Sequence, residues 1–545
     1  MTSSRGAFCY DESVKETTLK QVKNWLKREL GETGAVSFAE NLNFGDIATN
    51  VALSQSNPQK AARDFVEKLS ANKPDFISEI SIAGPGFINF SLSDEFLISS
   101  AKTKPFDISK GLEKVIVEYT DPNPFKEFHI GHLMSNAIGE AIAGLIEATG
   151  MEVKRACYQG DVGMHAAKAL WKGDYALGAK AFDEDERAKV EIQEINKKIY
   201  NQSDPELNSR YQEGKKKSLE EFEKIYKKLG TKFDYFFFES ESGPIGLEIV
   251  KKNVGKVFTE SDEAVIYEGK ERDLKLHTRV FITKEGLPTY EAKELGLFKL
   301  KSQKFNYDKS VVITGNEVND YFKVVLKAAE EVLPELSGKT FHISHGMMRL
   351  PSGKMSSRRG DVVTAEFLIN EVKQAALKVM EKSGRAGIDK NLAEKVAVGA
   401  IKFSILRQHP GKDIIFDINK SISFEGDSGP YLMYTHARAN SLLEKGKEER
   451  IELEKAQQIF GAKNLLRLLS RFEDTVSRAA EEYSPNFLVE YLLEICGAFN
   501  SWYASEQMIT EDKNASAQKL AIVKIFQEIL ARGLHILAIA APERM

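Results

Sequence analysis

The chain has 545 residues, 42% hydrophobic and 29% charged, and its 76 Lys plus Arg against 80 Asp plus Glu leave a formal net charge of −4. That length implies several domains of roughly 100–200 residues each, and the composition is that of a folded chain rather than a disordered one. A polycation is excluded, although a local basic surface for nucleic acid is not. Cys9, Cys157 and Cys496 lie far apart with no Cys-x-x-Cys pair, which argues against a zinc ribbon or a disulfide framework. No apolar run reaches the ~18 residues of a membrane helix. The first twenty residues carry Asp11, Glu12 and Glu16 where a signal peptide has an apolar core. The expectation is no membrane association and a reducing, cytoplasmic compartment.

In chain order, residues 12–30 have helical spacing (Val14, Leu19, Val22, Trp25, Leu26, Leu30). Pro58 opens a second helix over 58–70. The alternating runs 77–82 and 87–92, joined by Gly84-Pro85-Gly86, predict a hairpin. Residues 1–105 therefore read as a small α/β domain, with a linker near 106–111. Val115 to Tyr119 is a short apolar run of the kind found in buried parallel strands. A loop with two prolines, a helix over 131–149 and a strand over 153–158 follow. This β-loop-α-β unit predicts a doubly wound, Rossmann-type parallel sheet over 112–365.

That sheet is expected to be interrupted by insertions over about 174–300. Residues 180–230 are charged and helical, and Lys215, Lys216 and Lys217 read there as a solvated face. Residues 257–300 read as hairpins. Ser310 to Thr314 resumes the sheet, with a helix over 318–332. Residues 366–390 are expected as a linker and 391–545 as an all-α domain, including helices over 396–406, 431–443 and 465–480. The fold class is thus α/β, with a small α/β amino-terminal domain and an all-α carboxy-terminal one.

Two constellations carry chemistry. His129-Ile130-Gly131-His132 sits where the first buried strand gives way to its helix. Two imidazoles three apart share a helix face, and the free amides and positive dipole end there attract phosphate. Gly131 allows close approach to the backbone. Taken alone, the motif is equally open to metal ligation or to incidental histidines. The second constellation is Gly353-Lys354-Met355-Ser356-Ser357-Arg358-Arg359-Gly360. Its cations, hydroxyls and flanking glycines suit a loop closing over a polyphosphate; alone it would pass for an exposed basic turn.

The pair resembles the two signature motifs of class I aminoacyl-tRNA synthetases. Glu118-Tyr119-x-Asp121-Pro122-Asn123-x-Phe125-Lys126-x-Phe128-His129 and Gly160-Asp161-Val162-Gly163 resemble the arginyl enzymes in particular. So do residues 43–50 and 84–90 near the amino terminus, Gly429-Pro430-Tyr431-Leu432-x-Tyr434-x-His436-Ala437-Arg438, and the ending Pro542-Glu543-Arg544-Met545. The resemblance covers essentially the whole chain. Departures are Glu294 where many relatives have Asp, Val318 where they often carry Gln, Met134 where Arg is common, and a second motif that ends Ser-Arg.

The resemblance implies ligation of L-arginine to tRNA(Arg), using ATP with Mg²⁺ and passing through an arginyl-adenylate; we expect a monomer. His129, His132 and Lys354 would be catalytic. Gly131, Ser356, Ser357, Gly346 and Met347 would bind ATP. Glu118, Asn123, Tyr290 and Glu294 would bind arginine. Asn43, Asn50, Tyr434, Arg438, Trp502 and Tyr503 would meet the tRNA. Recognition of a guanidinium, flat, always charged and with five donors, calls for carboxylates and an aromatic or amide wall. Glu118, at the carboxyl end of the first strand, lies where open α/β sheets bind ligands. Two alternatives stay open. One is a class I synthetase for another amino acid; a cysteinyl enzyme is disfavoured by missing zinc ligands and a glutaminyl one by the helical carboxy-terminal region. The other is a non-catalytic tRNA-binding paralogue, which would typically lose His129, His132 and Lys354.

Overall fold

The computed structural model describes residues 17–102, 113–273, 275–351, 363–382, 389–453 and 461–545. The chain forms two compact units. One joins the amino-terminal residues to 424–536 and 540–545; the other holds 111–423 with 537–539.

In the first unit, helix Thr18–Leu30 ends on a left-handed Gly31 (φ 81°), and helix Pro58–Ala71 begins on the predicted proline. Strands Val36–Phe38, Ile47–Thr49, Phe87–Leu92 and Ile77–Ala83 make an antiparallel sheet in that order, with the expected hairpin closing at Ala83 and Phe87. Trp25 packs edge-on against Phe90 beneath it. The helical part contains Gly429–Glu448, Lys463–Leu469, Phe472–Glu481, Asn486–Ser505 and Lys513–Ile536. The single helix predicted over 465–480 is broken at Ser470. Its hydroxyl donates to the Arg467 carbonyl (2.8 Å), the local side-chain bond with which serine competes against the helix.

The two ends of the chain, expected as separate domains, share this unit. The buried Asp474 carboxylate accepts the Thr18 and Leu19 amides (3.0 and 3.1 Å) and so caps the first helix. Buried Asp46 pairs with Arg467 (2.8 Å) and accepts the Leu92 amide (2.7 Å). Carboxylates taken out of water need such partners, and here the Thr18 and Leu19 amides and the Arg467 guanidinium reach theirs from the other end of the sequence.

The second unit is built on five parallel strands: β1 Lys114–Glu118, β2 Glu152–Gln159, β3 Tyr235–Phe238, β4 Lys309–Gly315 and β5 Thr340–His345. Their order is β5-β4-β1-β2-β3, all parallel, the doubly wound arrangement with its switch point between β1 and β4. Helix α1, Ile130–Ala148, connects β1 to β2. Helix α2, Pro205–Leu229, follows the shorter helices Tyr175–Glu184 and Glu186–Asn201. Helices α3, Glu239–Lys252, and α4, Tyr290–Lys304, flank a three-stranded antiparallel patch spanning 259–282. Helix α5, Asn319–Val332, connects β4 to β5. Glycine sets the spacing between α3 and α4: a Cβ on Gly246 would lie 1.7 Å from the Ala292 carbonyl oxygen, and one on Gly296 would lie 1.9 Å from that of Ser242.

Three boundaries differ from expectation. The 174–300 insertion is not one block, because β3 inside it belongs to the main sheet; its apolar Tyr-Phe-Phe-Phe run is only four residues long and follows a long charged helix. The hairpin region ends at 282, and 290–304 is helical. Residues 366–390, expected as a linker, are largely helix Ala365–Lys382. Its Ala365, Leu368, Ile369, Val372 and Ala376 are buried, a helical stripe that packs on helix Lys390–Leu406. That helix in turn belongs to the sheet unit, so the helical domain starts near 424 rather than at 391. Among the described residues no helix is long and apolar enough to cross a membrane.

Candidate active site

The loop between β1 and α1 is strained where the site lies. Thr120, Asp121 and Phe125 have φ of 84°, 46° and 70°, values that L-residues avoid and that persist only when the surroundings enforce them. At Thr120, side chains from α1 do so. Ser135 Oγ accepts the Thr120 amide (2.9 Å), and Asn136 Nδ2 donates to Thr120 Oγ1 (3.0 Å).

At the mouth of α1 the two histidines cap the helix. His129 Nδ1 accepts the Gly131 amide (3.1 Å) and His132 Nδ1 accepts the His129 amide (3.2 Å). Their rings stack with centroids 3.7 Å apart. A Cβ on Gly131 would touch the His129 ring at 2.9 Å, so the glycine is what lets the imidazole fold back. Burial, then the Lys126 charge, lowers the pKa of His129; burial, then His129 and Lys126, holds His132 well below the usual histidine range. Both rings are therefore neutral near pH 7. With Nδ1 accepting, the proton resides on Nε2 in each, and the pair offers N–H donors rather than metal ligands.

A second cluster sits at the carboxyl end of β1. Glu118 is buried and receives Lys301 Nζ at 2.9 Å; Lys301 has 0% exposure and also donates to Ser310 (3.1 Å). Burial opposes the Lys301 charge, but Glu118, Tyr307 and Glu294 together outweigh it and keep the ammonium protonated. Glu294 is buried as well. Burial, then the negative charge of Glu118, pushes its pKa up to about 8. Tyr321 donates to its Oε2 at 3.5 Å, while its Oε1 has no hydrogen-bond partner among the described residues. Asp121 accepts the Tyr158 amide (2.8 Å), and burial with the Glu118 charge raises it well above the carboxylate range. Three carboxyl groups thus surround one internal ammonium.

Asn123 lies beside this cluster. Its Oδ1 accepts the Gly160 amide (3.1 Å), which leaves its NH₂ group to donate elsewhere. Tyr290 is 64% exposed at the first turn of α4, and its carbonyl accepts the Tyr321 hydroxyl (3.0 Å). Tyr290 and Glu294 share a helix face, but only Tyr290 is at the surface, and Glu294 is buried. Val318 ends a short 3₁₀ turn, and the polar group supplied from this stretch is Tyr321. Asp121, Lys301 and Tyr321 escaped sequence reasoning. A tyrosine on an amphipathic helix and a lysine near a helix end announce nothing by pattern.

The backbone amides of Gly346 and Met347, expected to bind ATP, are already engaged. The Gly346 amide donates to Pro410 O (3.0 Å), and the Met347 amide donates to Asp413 Oδ1 (2.8 Å). What remains free at Met347 is its side chain, 46% exposed. Lys354, Ser356 and Ser357 lie outside the described residues. The chain resumes at Val363, whose carbonyl accepts the Ile130 amide (3.1 Å), and the Ala365 amide donates to Phe128 O (2.9 Å). The segment following the second motif is therefore tied to the first.

The tRNA candidates divide. Asn43 is exposed in a 3₁₀ turn, next to Phe44 at 53% exposure. Asn50 is committed internally, its Oδ1 accepting the Ala35 amide (2.7 Å). Arg438 lies over the Tyr434 ring (4.9 Å) and the Tyr503 ring (5.6 Å) and donates to Asn500 (2.5 Å). Trp502 is 5% exposed and belongs to the helical core, whereas Tyr503, a 100° step around the helix, is 37% exposed.

A nucleotide-type parallel sheet with a capped His-x-Gly-His helix at its switch point is the catalytic architecture of a class I aminoacyl-tRNA synthetase. Family models match the chain along its length: an arginyl tRNA synthetase N terminal domain at 14–92, the catalytic domain of class I (R) tRNA synthetases at 95–168 and 168–418, and a DALR anticodon binding domain at 432–545. An arginine–tRNA ligase of Fusobacterium nucleatum is 30% identical over 96% of this chain and 98% of its own length. One from Borreliella burgdorferi is 28% identical over 85% of this chain and 86% of its own. The arginyl-tRNA synthetase structures of Thermus thermophilus and Plasmodium falciparum superpose with TM-scores of 0.76 and 0.76, at 24% and 21% identity, each covering 97% of this chain and 100% and 99% of their own. The chain belongs to the arginyl-tRNA synthetase family, the class I arginine–tRNA ligases.

Proposed function

We propose that the carboxyl cluster of Glu118, Asp121 and Glu294 is the guanidinium site of an arginine–tRNA ligase, and that the capped histidine pair handles the phosphates of ATP. The observation that carries this reading is Glu294: a buried carboxyl group, raised to about 8, with one oxygen lacking a partner among the described residues. A buried polar atom without a partner costs stability, and an incoming guanidinium supplies both the donor and the charge. Tyr290 at the rim forms an aromatic wall, and the Asn123 amide group holds the substrate's polar end. A lysine ammonium cannot bridge the carboxylates as a flat fork does, and leaves acceptors unpaired.

In the first step the arginine carboxylate oxygen attacks the α-phosphorus of ATP, and the bond to the bridging oxygen of pyrophosphate breaks. The Nε2–H groups of His129 and His132 donate to phosphate oxygens as charge builds on them. Lys354, with Ser356 and Ser357, neutralises the departing pyrophosphate. Because both imidazoles present N–H groups, Mg²⁺ in this reading is carried by the triphosphate oxygens, whose charge it neutralises when bound. In the second step the 2′-hydroxyl of the tRNA's terminal adenosine attacks the carbonyl carbon of the adenylate, and AMP leaves. Catalysis of this kind rests on positioning and charge stabilisation. Asn43 near the amino-terminal sheet, and Tyr434, Arg438 and Tyr503 on the helical part, are the proposed tRNA contacts, by stacking and phosphate pairing.

The test is ATP–pyrophosphate exchange against a panel of all amino acids, with and without tRNA. Exchange with arginine alone, and only when tRNA is present, is the expected result. Exchange with any other amino acid would sink the assignment of Glu118, Asp121 and Glu294.

A further inference from the structure

Lys215 does not lie on a solvated face. Its Nζ is 2.7 Å from Oδ2 of Asp161, a carboxylate with no exposed surface, and sits 3.6 Å over the Phe238 ring. Asp161 accepts three further bonds: from the Tyr211 hydroxyl (2.8 Å), the Ser240 amide (2.9 Å) and the Ser240 hydroxyl (2.7 Å). Tyr211 and Lys215 are one turn apart on α2. The same face of that helix then meets the β1–α1 loop. Tyr211 stacks on Phe125 (5.9 Å), Ser218 Oγ accepts the Phe125 amide (3.0 Å), and Phe222 packs edge-on against Phe128 (6.0 Å). Gly214 lies between these contacts, and a Cβ there would come within 2.5 Å of the Phe125 ring.

Phe125 and Phe128 bracket the stretch between Asn123 and His129. Gly160, next to Asp161, holds Asn123 Oδ1 through its amide. One helix face therefore grips both the loop that carries Asn123 and His129 and, through Asp161, the loop that holds Asn123.

We propose that the insertion helix α2 acts as a splint for the adenylation site, with Tyr211, Gly214, Lys215 and Ser218 as positioning residues for Asn123 and His129. The left-handed Phe125 is the conformation the splint maintains. An insertion that only decorated the sheet would leave these loops to relax when its contacts were altered; a splint transmits any displacement to the reacting groups. The inference rests on the assignment of Asn123 to arginine and of His129 to phosphate.

Gly214→Ala is the discriminating variant. It raises helix propensity, so α2 and the fold lose nothing intrinsic, but its methyl group must displace Phe125. The expected result is an unchanged or higher melting temperature with kcat/KM for arginine lowered about tenfold to a hundredfold, the scale of a misplacement near 1 Å. Lys215→Met keeps the stem over Phe238 and removes the ammonium; it should raise the arginine KM, and Lys215→Arg should restore most of the loss. Gly214→Ala should add little in an Asn123→Ala background, because both act through the same group. Normal arginine kinetics in Gly214→Ala, with Asn123→Ala impaired, would overturn the splint. If Asn123→Ala itself leaves the arginine KM unchanged, the arginine-site assignment fails instead, and the splint then predicts a loss confined to kcat through His129.

Discussion

The sheet unit and the unit that joins the two chain ends handle charge in opposite ways. Around Glu118 the sheet unit gathers three carboxyl groups, two of them buried, and a buried ammonium. On the helical part of the other unit, Arg438 lies half-buried between the rings of Tyr434 and Tyr503, of which Tyr503 is exposed. The contrast follows the ligands each suits. A single guanidinium is a small target that must be told from an ammonium, so its recognition calls for desolvated, directional carboxylates whose strain its binding relieves. A tRNA offers a long run of phosphates and bases, and exposed cations and rings are enough when there are many of them.

If that contrast holds, removing a charge from the buried cluster must damage fold and function together. Glu118→Ala leaves Lys301 buried and uncompensated, which costs about 3–5 kcal/mol for a broken buried pair. Chemical denaturation should register that loss, and arginine-dependent exchange should vanish. A Glu118→Ala enzyme of normal stability would mean that the ammonium finds another partner, and the picture of a closed pair would be wrong.

The histidines test the phosphate side. On the proposed assignment His129→Ala removes an Nε2–H donor to phosphate, and it should lower kcat by about 10²–10³, as for one lost transition-state donor. Because burial lowers both imidazoles below the ordinary histidine pKa, kcat should show no inflection at that ordinary value. A clear rise or fall centred near the ordinary histidine pKa would overturn the neutral assignment.

Glu294 sharpens the comparison through pH. In the free enzyme its carboxyl is protonated below about 8. A bound guanidinium favours the ionised form, so arginine binding releases a proton. Affinity should therefore rise with pH up to about 8, by as much as about tenfold per unit. Calorimetry in buffers of different ionisation enthalpy would count the protons released, and Glu294→Gln should remove the Glu294 share of the release and lessen the pH slope. Proton uptake on binding would contradict the sign.

Much of this architecture is legible in the sequence because its signals are local. The β1 run, the His-x-Gly-His cap and the Ala83–Phe87 turn each lie within a few residues. The buried cluster is not local. Glu118, Glu294 and Lys301 come from β1 and α4, and Tyr321 from α5, so nothing in any one segment announces that they meet. Lys215 was misread for the same reason: its neighbours in sequence are solvated, while its partner Asp161 lies in a loop beyond a different strand. Helix Ala365–Lys382 passed for a linker although its apolar stripe was present, because that stripe has meaning only against the helix that follows.

The smallest expected effect separates two neighbours on one helix. Trp502 and Tyr503 are both large aromatics, and the sequence offers both as tRNA contacts. Trp502→Ala empties part of the helical core and should cost about 3–5 kcal/mol of stability. Tyr503→Ala leaves the core intact. It removes one face of the Arg438 sandwich, worth about 0.5–1 kcal/mol at an exposed site, and any base stacked on that ring, worth about 1–3 kcal/mol. Filter binding of tRNA at two salt concentrations should therefore show weaker binding for Tyr503→Ala with its salt slope unchanged, since no phosphate-pairing cation is lost. The melting temperature should stay at the parental value. If Tyr503→Ala bound tRNA normally, the Arg438 sandwich would be an internal brace of the helical part, and the open surface would have to be sought around Asn43 and Phe44 instead.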